Sequence, residues 1–429
     1  MFYTDRSKKI TVNEAKCYID EFKTTQLSRL NRLDNYYKNK NETIMKRTFS
    51  DETKPNNKVT HAFAKYITRT NTTMFLGSPL TYTSEDDLSD YTNILENNHE
   101  ESLNMELAVN CSKYGYAILF NYLTALNKET VFEMCVLDNK STILILSNDI
   151  KPEILYCIRF WEDRDLVNRK DDKYVTIISK DEIANYKNDI LQSRVSNVLE
   201  EIPVVLIKNN PEMTGDYEDV IPNIDAYDLL QSDSANESEY FNNSYFWLPI
   251  EPPRDEEEKQ AVNDMKTART IFSEIKPEFI SKPILENELQ KQRIVQDIHK
   301  LSFTPDLSDE NFANNVSGIA MEYKLLGVIN NIKNKQSEFK KAILKRNELI
   351  FKFMNMKSIP IPQYVDVIFT INLPANLLEQ AQVSNLLRGL VSDETLLSQL
   401  SFVQDTAYEL EQVKKQSDIN TFLEDDVDE

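Results

Sequence analysis

Glycine is scarce in this chain. Six glycines among 429 residues, at positions 77, 115, 215, 318, 327 and 389, leave no place for G-x-G-x-x-G or G-x-x-x-x-G-K-[ST], whose bare backbone lets phosphates approach closely. Nucleotide hydrolysis is therefore not expected. G-x-S-x-G and H-E-x-x-H are also missing, and no cysteine has a histidine partner that would make it a nucleophile. The cysteines (Cys17, Cys111, Cys135, Cys157) and histidines (His61, His99, His299) are too scattered, with no C-x-x-C pair, for a zinc centre or a disulfide framework. Each cysteine reads as a small buried hydrophobe in a reducing compartment. Nothing approaches the ~18–20 consecutive apolar residues of a membrane helix, and the opening MFYTDRSKK has no apolar stretch behind its charges. The expectation is a protein kept in the cytosol, or in something assembled there, without a membrane partner, a cofactor or a metal.

Positive charge is short as well: 49 Lys and Arg against 70 Asp and Glu give a formal net charge of -21. Affinity for phosphate comes from clustered cations, so a tight grip on nucleic acid is not expected. An acidic surface still suits a task in which DNA slides. The acid collects towards the end, in EDDVDE, and in Glu85-Asp86-Asp87 and Asp216 to Asp219. Paired carboxylates are what a two-metal nuclease needs; adjacent acids on polar segments more commonly form solvated surface.

What is present is enough for several domains, since 41% hydrophobic residues over this length can bury more than one core. Thr11 to Glu14 has the form of a capping box, and Ala15, Ile19, Phe22, Leu30, Leu33 and Tyr37 continue at near-helical spacing, which predicts a helix over about 12–38. Val59, Ala62, Phe63, Tyr66, Ile67, Thr70 and Met74 make a second stripe, stopped by Gly77 and Pro79. A third helix is expected over 86–112. From Tyr116 the pattern turns to short β-rich segments, read as one mixed sheet region over 116–209 that ends in the turn Asn209-Asn210-Pro211.

Residues 223–248 then lack glycine and proline, and their apolar ends bracket a polar centre, QSDSANESE. A long helix with so weak a stripe has to be supported by neighbours. An irregular acidic segment follows to about 284, then a helix to about 303, a polar loop, a long helix over 318–354, one strand in VDVIFTIN, and a helical remainder over 375–423. The fold class is α+β.

Five stretches carry a resemblance, in the right order: NNKVTHAFAKYITRTNTTMFLGSPLTY (56–82), KYGYAILFNY (113–122), EIPVVLIKNNPEMTGDYEDVIPNIDAYDLLQSDSANESEYF (201–241), FTPDLSDENFANNVSGIAMEYKL (303–325) and RGLVSDETLLSQLSFVQDTAYEL (388–410). The organisation resembles the portal family of tailed bacteriophages, of the siphophage type found with Gram-positive hosts. The resemblance implies a subunit of a ring, twelve copies in virions and sometimes thirteen when recombinant, that conducts double-stranded DNA non-specifically through one capsid vertex. It implies a wing (1–221), a stem helix (222–248), a clip (249–284), a second stem helix (285–303), a tunnel loop (304–317), a return to the wing (318–374) and a crown (375–429), with the polar stem helices completed by sister chains around the ring. The implied partners are the terminase large subunit, a head-completion adaptor, and the major capsid and scaffolding proteins. The implied location is the virion's portal vertex, after assembly in the host cytoplasm.

On this reading Thr304, Asp306, Ser308, Asn311, Asn314 and Asn315 line the constriction, and Lys291, Arg293 and Lys300 are stem residues that face the lumen. Loop capping explains the asparagines equally well, and intersubunit ion pairs are the commoner role for cations on packed helices. Tyr240, Phe241, Phe246 and Trp247 read as packing residues, because a duplex offers no exposed base faces. No catalytic residue is expected. An adaptor or scaffold ring without DNA passage, and a metal-dependent nuclease, are the competing readings.

Overall fold

The computed structural model describes residues 1–50, 55–126, 129–165, 169–242, 246–248, 270–272, 284–307, 318–371, 377–398, 400, 403, 406, 408–410 and 412–415. Two compact units divide the chain: Met1–Pro305 with Val328–Ile371, and Asp306–Gly327 with Asn372–Glu429.

The first unit opens on strand β1 (Phe2–Thr4), and helix α1 (Val12–Thr25) starts where the capping box predicts. Thr11 Oγ1 accepts the Glu14 N–H at 3.4 Å, and the Glu14 carboxylate accepts the Thr11 N–H at 2.9 Å. The single helix expected over 12–38 breaks at Gln26, where α2 (Leu27–Tyr37) begins. The hydroxyls of Thr24 and Thr25 donate to the Asp20 and Glu21 carbonyls at 2.9 and 2.7 Å, a back-bonding that competes with the helical ladder and bends it. After α3 (Glu42–Met45) and α4 (Phe63–Leu76) comes strand β2 (Thr81–Thr83). The helix expected over 86–112 is also two, α5 (Ser89–Asn97) and α6 (Glu100–Tyr114), parted by His99 at φ 49°. The Asn98 side chain causes the break: it donates to Phe132 O at 2.9 Å and accepts from Met134 N at 2.6 Å, binding a strand where a helix would bind itself.

The region expected as one mixed sheet forms two. Strands β3 (Tyr116–Leu126), β4 (Glu129–Leu137), β5 (Thr142–Ser147), β6 (Ile154–Asp165), β7 (Lys170–Ser179), β8 (Glu182–Lys187), β9 (Ile190–Ser196) and β10 (Val204–Lys208) follow one another along the chain. Six pair in the order β1-β5-β6-β7-β8-β9, antiparallel apart from β1 on β5, and three in the antiparallel order β10-β3-β4. Strand β5 is buried along its whole length and explains the layering. Ile143 and Ile145 point into a core with Ala15, Ile19, Phe22 and Leu30 of the first two helices. Leu144 and Leu146 point the other way, into a core with Ile118, Leu137 and Val204 of the smaller sheet. Each such side chain contributes about 1.5–3 kcal/mol by leaving water, and a slip of one residue would exchange the two faces.

Helix α7 spans Ile221–Asn242 and ends six residues before the expected 248, because Phe246–Leu248 form strand β11, paired in parallel with β12 (Thr270–Phe272). Helix α8 (Ile284–Leu301) packs on α7, with Ile294 and Ile298 in the helix-side core beside Ile224 and Tyr227. Helix α9 (Gly318–Met356) carries the chain back, and β13 (Asp366–Ile368) pairs antiparallel with β2. In the second unit, the helical run expected over 375–423 is interrupted. Helix α10 (Leu377–Leu387) gives way to a turn at Gly389, φ 84°, and Ser392 Oγ then accepts the Thr395 N–H at 3.3 Å to start α11 (Asp393–Ser398).

Cys111 and Cys157 are buried as expected, and Cys135 is half-buried. Cys17 is exposed, which corrects the expectation for it: the buried stripe of α1 is Ala15, Ile19 and Phe22, and position 17 lies off that stripe. No helix among the described residues is long and apolar enough to cross a membrane.

Candidate functional site

Three of the diagnostic stretches, remote in sequence, meet where α6 ends. Gly115 closes that helix at φ 86°, and Gly215 lies against the carbonyls of Ser112 and Lys113. Arg29 ties the crossing together: its guanidinium donates twice to the Glu218 carboxylate, at 2.6 and 2.5 Å, and to the carbonyls of Met213 and Tyr114 at 3.1 and 3.3 Å. One residue beyond Gly215, the Asp216 side chain is 3% exposed. Its carboxylate accepts from Lys335 Nζ at 2.5 Å, Ser112 Oγ at 2.7 Å, Asn209 Nδ2 at 2.8 Å and Asn71 Nδ2 at 3.4 Å. Burial by itself would raise its pKa, yet the group lies below the ordinary carboxylate value, because the Lys335 charge and these hydrogen bonds outweigh desolvation. The solvated-surface reading of the 216–219 acids is thus corrected for Asp216 and for Glu218.

Helix α7 explains its own polar centre. Asp228 Oδ1 accepts the His61 N–H at 3.0 Å, Ser232 Oγ accepts the Val59 N–H at 3.0 Å, and Asn236 Oδ1 accepts the Asn57 N–H at 2.7 Å. Four residues along a helix rise about 6.0 Å, and two residues along an extended segment about 6.6 Å, so the ladder stays in register for three rungs. Asp228 Oδ2 also accepts from Asn41 Nδ2 at 2.8 Å, and Asp225 accepts from the Tyr36 hydroxyl at 2.5 Å. This polar stripe therefore has partners in its own chain. The expectation that sister chains must complete this helix is corrected for residues 221–239, and it also explains why α4 begins at Phe63: residues 57–61 are extended along α7.

The residues singled out from the sequence fall in different places. Thr304 is 2% exposed, with its hydroxyl donating to Asn71 Oδ1 at 3.2 Å, so it does not line a channel. Lys291 is 5% exposed and donates to Glu288 at 2.6 Å, a correction to its lumen-facing assignment. Arg293 and Lys300 are exposed on α8, and Asp306 is half-buried. Ser308, Asn311, Asn314 and Asn315 lie outside the described residues, as do the side chains of Tyr240, Phe241 and Phe246; Trp247 is 40% exposed. Asp86 accepts the Gln363 N–H at 2.7 Å, and Asp87 accepts from the Ser89 N–H at 3.0 Å, so these acids serve turns and a helix start. Glu424 to Asp426 are outside the described residues. Among the described residues no three His, Cys, Asp or Glu side chains gather as a metal ion needs.

Comparison with known proteins decides the family. The model of the phage portal proteins, SPP1 Gp6-like, matches residues 17–420. The chain belongs to that portal family. It is 22% identical over 415 residues to the portal protein of Bacillus phage SPP1, covering 85% of this chain and 77% of that one. Among solved structures, the neck of an empty GTA particle matches with a TM-score of 0.42 at 13% identity, over 78% of this chain and 87% of that chain.

A second charge cluster in this portal gives a pH-dependent test. Asp34, 5% exposed, accepts from Lys38, Lys140 and Lys113 at 2.6, 3.0 and 3.1 Å. Burial pushes its pKa up, but the three ammonium groups bring it far below the ordinary 3.8. Because the folded pKa is depressed, the stabilisation is complete above the unfolded value and is lost as pH falls from there towards the folded one. Asp34→Asn is expected to cost about 1–3 kcal/mol near pH 7, chiefly from Lys113, its side chain 11% exposed, left without its carboxylate, since Lys38 and Lys140 reach solvent. The gap to the parent should narrow by up to about 1.4 kcal/mol per pH unit below that value. Urea titrations across pH 7 to 2 check this, and a gap independent of pH would count against it.

Proposed function

We propose that twelve copies of this chain, or thirteen in recombinant assemblies, close into a ring at one capsid vertex through which double-stranded DNA is packaged and ejected. The observation that carries the reading is the family match over residues 17–420. The ring conducts DNA without sequence preference and without catalysis, docking the terminase large subunit during packaging and a head-completion adaptor afterwards. It sits among major capsid and scaffolding proteins, after assembly in the host cytoplasm. Residues 1–221 and 318–374 form the wing, 222–248 and 285–303 the stem, 249–284 the clip, 304–317 the tunnel loop and 375–429 the crown.

The charge supports this. A chain at -21 makes a ring with a strongly negative wall, and such a wall gives phosphates no deep wells in which to stall. Asp306, Ser308, Asn311, Asn314 and Asn315 are the proposed contacts at the constriction, and Arg293 and Lys300 those on the stem. Thr304 and Lys291 leave the set because they are buried in their own subunit. The exposed Leu289 on α8, 64% accessible, supports contact between neighbouring stems.

Native mass spectrometry of the purified protein tests the reading. A closed ring near twelve times 50.0 kDa is expected, roughly 600 kDa. A monomer at any concentration overturns it. Divalent-metal-dependent cleavage of plasmid DNA would favour the nuclease, and a ring that fails to support DNA packaging would favour the adaptor.

A further inference from the structure

Residues 306–327 leave the first unit after Pro305, and the chain rejoins it at Val328. Both roots of this excursion are bound to one buried polar chain. At the outgoing root, the Thr304 hydroxyl donates to Asn71 Oδ1 at 3.2 Å and the Thr304 N–H to His299 O at 3.0 Å. The next carbonyl, that of Pro305, accepts the Tyr66 hydroxyl at 2.8 Å. At the returning root, Lys335, about two turns along α9 from Val328, donates to Asp216 at 2.5 Å. Asn71 joins the two, because its amide nitrogen donates to the same Asp216 oxygen at 3.4 Å while its carbonyl receives Thr304. Thr304, Asn71, Asp216 and Lys335 therefore form an unbroken donor–acceptor chain. Asn71 is 1% exposed and Lys335 5%, so water does not substitute for any link.

We propose that Asn71 and Asp216 are positioning residues for the channel segment: they lock its outgoing root at Thr304 to its returning root at Lys335, so that displacement of α9 is transmitted to the loop base. This rests on the reading of 304–317 as the tunnel loop. The physical warrant is that an asparagine amide offers a donor at one end and an acceptor at the other, and here each end takes one root. An Asp216 carboxylate left without Lys335 keeps only neutral donors, an Asn71 carbonyl left without Thr304 loses the hydroxyl that otherwise turns to Ser302 O at 3.2 Å, and hydrogen bonds in series strengthen one another. The stretches at 56–82, 201–241 and 303–325 supply Asn71, Asp216 and Thr304 to this network.

The test uses the assembled full-length protein and three variants. Thr304→Val keeps the shape and removes the hydroxyl, Thr304→Ser keeps the hydroxyl, and Lys335→Met removes the ammonium. Hydrogen–deuterium exchange is read over His299–Thr304 and over Val328–Phe339, with β5 and β6 as the control that the fold is intact. Lys335→Met is expected to speed exchange at Ser302 and Thr304 roughly tenfold, although Lys335 touches neither, and Thr304→Val to do the same around Lys335. Thr304→Ser is expected to match the parent. DNA packaged into procapsids should fall with Thr304→Val and Lys335→Met and not with Thr304→Ser. Exchange confined to each mutated root overturns the lock, and so does a cross-effect without any packaging defect. If Lys335→Met does not fold, the Thr304 pair alone decides. Absence of a ring in the parent would instead defeat the portal reading, and leaves the exchange comparison to be judged separately.

Discussion

Arg346→Met is expected to cost about 3–5 kcal/mol, the loss seen when one member of a buried ion pair is removed and the other stays charged. Arg346 sits in α9, 1% exposed, with one guanidinium nitrogen donating to Glu100 at 3.1 Å and to Asn104 Oδ1 at 3.4 Å, and another to the Tyr82 hydroxyl at 2.8 Å. Tyr82 and the Asn104 amide also donate to Glu100, so a single carboxylate is the acceptor for three side chains on α6, β2 and α9. Desolvation alone would lower the Arg346 pKa; the adjoining Tyr82 and Glu100 raise it well above the ordinary arginine value, and the guanidinium is charged at every accessible pH. Methionine keeps the side-chain volume and removes the charge, which leaves Glu100, its side chain 11% exposed, without a cation. Adding Glu100→Gln should recover a large part of the loss, because two neutral groups no longer carry the desolvation cost of a lone ion. Urea titration at fixed protein concentration measures both. A loss below about 1 kcal/mol, or a double variant less stable than the single one, would show that the cluster is not a coupled unit.

The same helix shows what was readable in advance and what was not. Its limits followed from Gly318 and the prolines at 360 and 362; of the apolar positions that gave its stripe, Phe339, Ile343, Ile350 and Phe353 are buried and Leu326 is 50% exposed, and Ile332 joins the buried stripe. Lys335 and Arg346 fall on that stripe at helical spacing, which is the one local signal for buried cations, and their partners Asp216 and Glu100 are 119 and 246 residues away. Local chemistry was legible at the first helix start, where Thr11 and Glu14 are partners three residues apart. The breaks at Gln26 and His99 were not, the second because Asn98 answers to Phe132 and Met134, more than thirty residues on. The polar centre of α7 misled for the same reason. Asp228, Ser232 and Asn236 resemble a surface that needs other subunits until the extended residues 57–61 are laid along them. Of the candidate channel residues, Thr304 is buried in its own chain, and a threonine at a loop base is indistinguishable from one in the loop until Asn71 is beside it.

Gly115→Ala is expected to cost more than about 3 kcal/mol, and the comparison with Gly389→Ala separates the two reasons. Both glycines are left-handed, at φ 86° and 84°. An alanine in that region costs about 1–2 kcal/mol at either site, because its Cβ crowds its own backbone. The surroundings differ. At Gly389 an added methyl meets nothing within 4 Å, whereas at Gly115 it falls 1.9 Å from the Met213 carbonyl oxygen and 2.3 Å from its carbon. Those are backbone atoms, and they cannot retreat freely. Arg29 holds the Met213 carbonyl, Asn209 N–H donates to the Gly115 carbonyl at 2.9 Å, and Asp216 N–H donates to Ser112 O at 2.8 Å. Moving one strand of the crossing by the ångström or more that the methyl requires breaks bonds worth about 1 kcal/mol each and disturbs the burial of Asp216. Because Asp216 holds Lys335 and Asn71, the damage should extend beyond stability, and the Gly115→Ala chain should also lose ring assembly at a temperature where Gly389→Ala retains it. Equal losses in the two variants would mean that the backbone conformation is the whole effect and that the close approach at Met213 yields without cost.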